Sequence, residues 1–165
     1  RIEDIVRIFY EIQKEVPSKL MMVGEGPEKE NAEYMCEQLG IQNKVIFFGN
    51  SNEIDKILCF SDLFLLPSET ESFGLAALEA MAWSVPVISS NSGGLPEVNF
   101  DGVSGYLSDV GDVDSMAENA LKILESDETL NQFRANALEV AKRFDIKNIL
   151  PLYENLYLQA INNTQ

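Results

Sequence analysis

Pro67-Ser68-Glu69-Thr70-Glu71-Ser72-Phe73-Gly74-Leu75-Ala76-Ala77-Leu78-Glu79 decides how this chain is read. The stretch follows an apolar run at 62–66 (DLFLL), which Pro67 stops, so it opens as the end of a buried strand. A short acidic loop comes next, and the apolar spacing predicts a helix over 73–83, with Ser72 as its N-cap and Gly74 just inside its start. Amides at a helix start lack intrahelical partners, and together with the helix dipole they favour anions. Glu71 and Glu79 bracket the turn. The expectation is a phosphate-bearing ligand lying against this helix start, with its hydroxyls on the two glutamates.

The flanking sequence supplies the frame. Ile2, Ile5, Val6, Phe9, Ile12 and Val16 follow a helical period that Pro17 ends. A short strand is predicted at 19–24 (KLMMVG), a turn at Glu25-Gly26-Pro27, and a helix over 28–39 closed by Gly40. The next strand is 44–49 (KVIFFG), after which Asn50 and Glu53 have capping-box spacing for a helix running to Phe60. Beyond the opening stretch lie a strand at 86–90 and a loop, Gly93-Gly94-Leu95-Pro96-Glu97, that starts a helical turn. A hairpin-like bend and a short last strand are expected over 102–107. Helices over 112–126, 128–143 and 145–161 complete the chain, with Pro151 expected to kink or restart the last and 162–165 expected to fray.

Short, nearly continuous apolar strands alternating with helices predict one α/β domain, a Rossmann-like parallel sheet with helices on both faces. Ligands in such sheets bind outside the carboxyl ends of the strands. The loops 24–27, 49–52, 67–72 and 90–96 should therefore gather on one edge.

Composition narrows the function classes. At 165 residues and 45% hydrophobic content the chain can bury a core, which excludes disorder. No apolar run is long enough to cross a bilayer. The net charge of −15 argues against nucleic acid as a partner. No Lys or Arg stands between Lys56 and Lys122, so a phosphate bound in the centre would need its cation from Arg1, Arg7, a metal or other protein. The absence of histidine removes the commonest general base and transition-metal ligand. Cys36 and Cys59 lack metal-site or disulfide-framework spacing and read as small buried apolar residues in a reducing, cytoplasmic compartment. The chain opens on a helical pattern without Met, so residues 1–165 are expected to be a fragment whose first strand lies upstream.

Each candidate residue has a bland reading beside the chemical one. Glu79 lies in an otherwise apolar segment, FGLAALEAMAW; it either accepts hydrogen bonds from ligand hydroxyls or is solvated on the helix's wet side. Glu71 either aligns a sugar or simply favours a helix start, which is worth about 0.3–1 kcal/mol and which Glu69 could do equally well. The glycines of the two loops are weak signals alone, since most such glycines only turn the chain. Tyr153 and Tyr157 read as packing residues.

Glu71-x7-Glu79 with Phe73-Gly74-Leu75 inside it, followed by Gly93-Gly94-Leu95-Pro96-Glu97, resembles the donor-binding half of family 4 retaining glycosyltransferases, which have the two-domain GT-B architecture. The likeness runs from RIEDIVRIF through VGEGP, VIFFGN, SDLFLLPSETESFGLAALEAMA and PVISSNSGGLPEV. It implies that Glu71 orients the donor sugar as the catalytic-site carboxylate, and that Glu79 binds the ribose hydroxyls. It further implies that Ser72, Phe73, Gly74 and Leu75 meet the sugar and diphosphate, and that Phe48, Gly49 and Asn50 lie near the base, with Gly24 on the same donor edge. The implied reaction is sugar transfer with retention from a nucleotide-sugar, UDP-GlcNAc foremost, to a small-molecule acceptor such as L-malate, with no cofactor and no metal. The implied partner is an N-terminal domain of the same enzyme, through which any peripheral membrane contact would run; self-association is left open. Members of the family carry an Arg and a Lys that clamp the diphosphate just before the helix on which this chain begins. Trp83-Ser84 replaces the family's usual Cys-Gly or Ala-Gly, a change expected to affect packing more than chemistry.

Two other functions use similar residues. A nucleotide-sugar epimerase would need the same edge for its nucleotide but no acceptor, and the lack of His disfavours it. A non-catalytic nucleotide-binding module would have no reason to keep both glutamates and Gly74.

Overall fold

The computed structural model describes residues 1–162. The order is α1 (Ile2–Glu15), β1 (Leu20–Val23), α2 (Lys29–Gln38), a 3₁₀ turn (Gln42–Lys44), β2 (Val45–Gly49), α3 (Ile54–Cys59) and β3 (Phe64–Leu66). Then follow α4 (Leu75–Ala82), β4 (Val87–Ser90), α5 (Leu95–Val98), β5 (Gly105–Ser108), α6 (Val113–Ile123), α7 (Asp127–Arg143) and α8 (Ile146–Asn162).

Every strand pairing is parallel, but the strands form two hydrogen-bonded groups, β1-β2 and β3-β4-β5, rather than one sheet. Successive residues of a strand point to opposite faces. In β4, Val87 joins a core with Ala77, Ala80, Met81 and Val140, whereas Ile88 joins Ile8, Ile12, Met116 and Ala120 on the other side. Helices α4 and α7 therefore cover one face, α1 and α6 the other, and β4 is buried throughout. A third core packs Leu20 and Val45 of β1-β2 under Val6 and Phe9 of α1 and Ala32 and Cys36 of α2.

Coverage of both faces does not extend to β1-β2. Val23, Ile46 and Phe48 are all exposed, 39% to 45%. Their in-strand neighbours Met22, Val45 and Phe47 are the ones that reach the third core. No helix of comparable length follows β2, because α3 buries only Leu58. The same shortness explains Cys59, which is exposed rather than buried.

Helix ends show the local chemistry. After α2, Gly40 takes φ +69 while its N–H and that of Ile41 donate to the carbonyls of Glu37 and Cys36, a Schellman end. The expected capping box at Asn50 and Glu53 does not form. The Ser51 hydroxyl accepts from Glu53 N–H, and the Glu53 carboxylate turns to Lys56. In α8 the helix runs unbroken across Pro151, and its residues 151–162 are exposed. Water can serve the carbonyl that Pro151 leaves without a donor, so the ring does not end the helix. Tyr153 and Tyr157 pack against nothing that buries them, at 54% and 63% exposure. Of the tail expected at 162–165, Asn162 closes α8 and the other residues lie outside those described. The bend before β5 forms as a Gly102 N–H to Gly105 carbonyl bond, and β5 then pairs parallel to β4.

Candidate functional site

The strand-end loops share one edge, and α1 fixes this. Its C-terminal end leads into the start of β1, so its N-terminal end lies at the opposite edge. There the Arg1 guanidinium reaches Glu69 in the loop after β3, and it also lies beside Gly111, after β5.

The loop between β3 and α4 is built mostly by backbone. Gly74, not Ser72, is the N-cap of α4, with φ +97 and ψ +37. A side chain there is excluded twice, by the positive φ and by Val98 and Leu95, whose methyls would stand 2.9 and 3.1 Å from a Cβ. The first backbone bond onto this cap is Leu78 N–H to Gly74 O, so the amides of Leu75, Ala76 and Ala77 precede the intrahelical ladder. Glu71 is half-buried, and its Oε1 accepts from Gly74 N–H at 3.2 Å. The carboxylate thus already occupies an amide that the resemblance assigned to the donor.

Gly93 and Gly94, read from sequence as weak turn signals, are what the loop rests on. Gly94 N–H donates to Glu71 O at 3.1 Å. A Cβ on Gly93 would fall 1.6 Å from that same oxygen, and one on Gly94 would fall 2.7 Å from the Phe73 Cα. Ser92 Oγ donates to Glu69 O at 2.8 Å, and Ser90 Oγ donates to Ser68 O. Three of the four loop residues from Ser68 to Glu71, all but Thr70, are thereby tied through their carbonyls to the end of β4 and the loop after it. Nothing local in 67–79 signals these contacts, because their partners lie some twenty residues on.

Beyond the cap, α4 presents Leu75, Ala76, Glu79, Ala82 and Trp83 outward. Glu79 is the one ionised group on that face, a full turn past Leu75, about 6 Å along the axis. Phe73, 39% exposed, leans edge-on against Phe144 at 6.1 Å between ring centres. Phe144 caps α7, so a helix given no role from sequence supports the site wall.

The β1-β2 corner contributes Gly24, Phe48, Gly49 and Asn50. Gly24 (φ +120) donates its N–H to the carbonyl of Gly49 (φ +65) at 2.8 Å. Asn50 Nδ2 reaches Glu25 Oε2 at 3.5 Å, a marginal contact, and Phe48 is 45% exposed. These residues share the edge with Glu71 but belong to the other strand group, and these contacts stay within that corner, Glu25 included.

Two cations were candidates for a phosphate. Arg7 pairs with Glu3 at 3.6 Å along α1, away from the edge. Arg1 is on the edge, but its guanidinium is engaged by Asp4 and Glu69. No group of three or more His, Cys, Asp or Glu among the described residues could hold a metal ion. Two shallow concavities lie beside α1, both lined in part by Arg7 and Leu39. The Glu71 edge is a ledge of backbone amides, the carboxylates of Glu69, Glu71 and Glu79, and apolar surface.

Rossmann-like parallel strands with helices, and a ledge of this kind at their carboxyl ends, define one half of a GT-B architecture. The chain belongs to the Glycosyl transferases group 1 family, whose profile matches residues 1–140. It is 39% identical over 164 residues to N-acetyl-alpha-D-glucosaminyl L-malate synthase of Bacillus anthracis, a match that covers 99% of this chain and 43% of that protein. Among solved structures, a mutant S. aureus TarM in complex with fondaparinux, alpha-GlcNAc-glycerol and UDP superposes with a TM-score of 0.87 at 25% identity, over 95% of this chain and 32% of that one. Anabaena HepE in complex with UDP and glucose gives 0.82 at 26% identity, over 93% and 44%. The chain therefore spans less than half the length of these relatives. No helix among the described residues is long and apolar enough to cross a membrane.

Proposed function

We propose that this chain is the donor-binding half of a retaining glycosyltransferase that takes UDP-GlcNAc and transfers the sugar to a small hydroxy acid, L-malate. The observation that carries the proposal is Glu71, held at one oxygen by Gly74 N–H on a ledge that also presents the exposed Glu79 of α4. In this reading the second Glu71 oxygen accepts a donor-sugar hydroxyl. Glu79 takes the ribose diol, the amides of Leu75 to Ala77 face the diphosphate, and Ser72 and Phe73 line the sugar. Phe48, Gly49, Asn50 and Gly24 border the base. Transfer forms a bond from the acceptor oxygen to the anomeric carbon and breaks the bond to the diphosphate, whose oxygen receives the acceptor proton. Stabilising that leaving group is usually the largest catalytic contribution, and Arg1 and Arg7 are both paired. An upstream domain of the same polypeptide would supply the free cations and the acceptor pocket. The outward apolar residues of α8, among them Leu152, Leu156 and Ile161, are surface it could cover. The 165 residues alone would then bind donor weakly and not turn over. The GlcNAc and malate assignments rest on the 39% identical relative.

The test is to incubate the whole polypeptide with a panel of nucleotide-sugars, with and without L-malate. Malate-dependent consumption of UDP-GlcNAc with an α-linked product supports the proposal. An epimer formed from donor alone, or transfer indifferent to malate, overturns it.

A further inference from the structure

Asp4 is a carboxylate inside the protein. Its side chain is only 5% exposed, at the third position of α1. A buried carboxylate needs a partner, and a helix dipole alone does not replace its lost hydration. The partner is Arg1, whose Nε donates to Asp4 Oδ2. The same guanidinium turns its other edge outward: Nη1 reaches Glu69 Oε2 at 3.4 Å, and Nη2 lies where a Cβ on Gly111 would be 3.1 Å away. One planar fork thus touches the start of α1, the loop after β3 and the loop after β5.

Glu69 is the hinge of this arrangement. Its carbonyl is already fixed by Ser92 Oγ, and Glu71 follows two residues later. If the Glu69 side chain were free, its charge would share the ledge with Glu71 and repel an incoming diphosphate. With Arg1 it is drawn toward α1 and partly neutralised. Merely compensating Asp4 would require Nε alone; the reach to Glu69 is additional.

We infer that Arg1, oriented by buried Asp4, is a positioning residue for the acidic loop, holding Glu69 aside so that Glu71 is the carboxylate presented to the donor. This rests on the donor-binding reading above. A lysine could not substitute, since an ammonium lacks the fork that spans two carboxylates.

Glu69→Gln tests the tie without disturbing the Asp4–Arg1 pair, because the Glu69 side chain is 71% exposed. Arg1→Lys is the second variant. Backbone amide exchange at Thr70, Glu71 and Ser72 should speed up by about two- to fivefold in both, the range of an exposed ion pair. The melting temperature of Glu69→Gln should fall by no more than about 4 °C, the shift that a loss of this size gives in a domain of this length. High salt should speed exchange in the parent toward the variant rate, because exposed pairs are screened. In the whole polypeptide, donor KM should rise by a similar factor in Arg1→Lys with kcat unchanged, and adding Glu69→Gln to it should bring KM back, because a neutral amide does not repel the diphosphate. Unchanged exchange in Glu69→Gln would overturn the inference, as would parent exchange and parent donor KM in Arg1→Lys. A parent that transfers no sugar defeats the proposed function instead, and the exchange measurement still decides whether Arg1 holds the loop.

Discussion

The Glu71 carboxylate accepts from Gly74 N–H at 3.2 Å, so the side chain closes a three-residue turn on the N-cap of α4. The bond fixes one oxygen of the carboxylate. Glu71→Gln can keep the contact through its amide oxygen but loses the charge, whereas Glu71→Ala loses both. Hydrogen bonds to charged groups contribute about 1.5–3 kcal/mol, so transfer by the whole polypeptide should fall by about 10- to 150-fold in Glu71→Ala. Glu71→Gln should lose less and melt at the parent temperature. Steady-state kinetics with UDP-GlcNAc check this, and equal activity in parent and Glu71→Ala would remove Glu71 from the site.

Glu79 has no structural duty that its surroundings reveal. It is exposed on α4 between Leu75 and Ala82. Glu79→Ala should therefore leave the melting temperature within about 1 °C of the parent, as surface changes away from special features do. Its effect should fall on ligand: the dissociation constant for UDP should rise about tenfold, the scale of a lost charge-assisted hydrogen bond. Calorimetry on the whole polypeptide measures it. A uridine ligand that binds equally well to both proteins would return Glu79 to the bland reading, a solvated side chain.

Strand and helix order, the parallel pairing and the common edge were all legible in the sequence, because they follow from short-range periodicity. Pro17, Gly40 and Pro67 mark their boundaries in the residues themselves. What was not legible depends on distant partners. Ser72 looks like an N-cap by composition, but the buried approach of Leu95 and Val98 demands glycine at the cap, and Gly74 takes the position. Buried Asn99 gave no signal, yet its Nδ2 donates to Val87 O at 3.1 Å and to Ser89 Oγ at 2.9 Å, and its Oδ1 accepts from Ser104. Pro151 and Tyr153 misled because general preferences assume a packed helix, and α8 stands in water along most of its length.

Gly93→Ala tests the backbone contact under the site. The added methyl would sit 1.6 Å from Glu71 O, at φ +55, where a side chain is already disfavoured. Backbone cannot yield as a flexible side chain can, so the loop after β3 must move. Destabilisation of about 2–4 kcal/mol is expected, in the range of overpacking combined with strain. Denaturant unfolding of the 165-residue chain measures it. If Gly93→Ala instead unfolds at the parent midpoint, the Glu71 loop does not rest on Gly93.

Ser84 offers the opposite change. It is the one non-glycine residue with positive φ among the described residues, at +62, and it ends α4. Its N–H donates to Met81 O and that of Val85 to Ala80 O, so it occupies the left-handed position of a Schellman end. Glycine fits that conformation without the clash that costs an L-residue about 1–2 kcal/mol, though a more flexible unfolded chain offsets part of the gain. Ser84→Gly should raise stability by about 0.5–1 kcal/mol, the balance of those two effects. The substitution lies at the opposite end of α4 from Gly74, so donor affinity should not change. Paired thermal melts and UDP titrations check both halves. A lower melting temperature would show that the Ser84 side chain contributes more than the strain it bears.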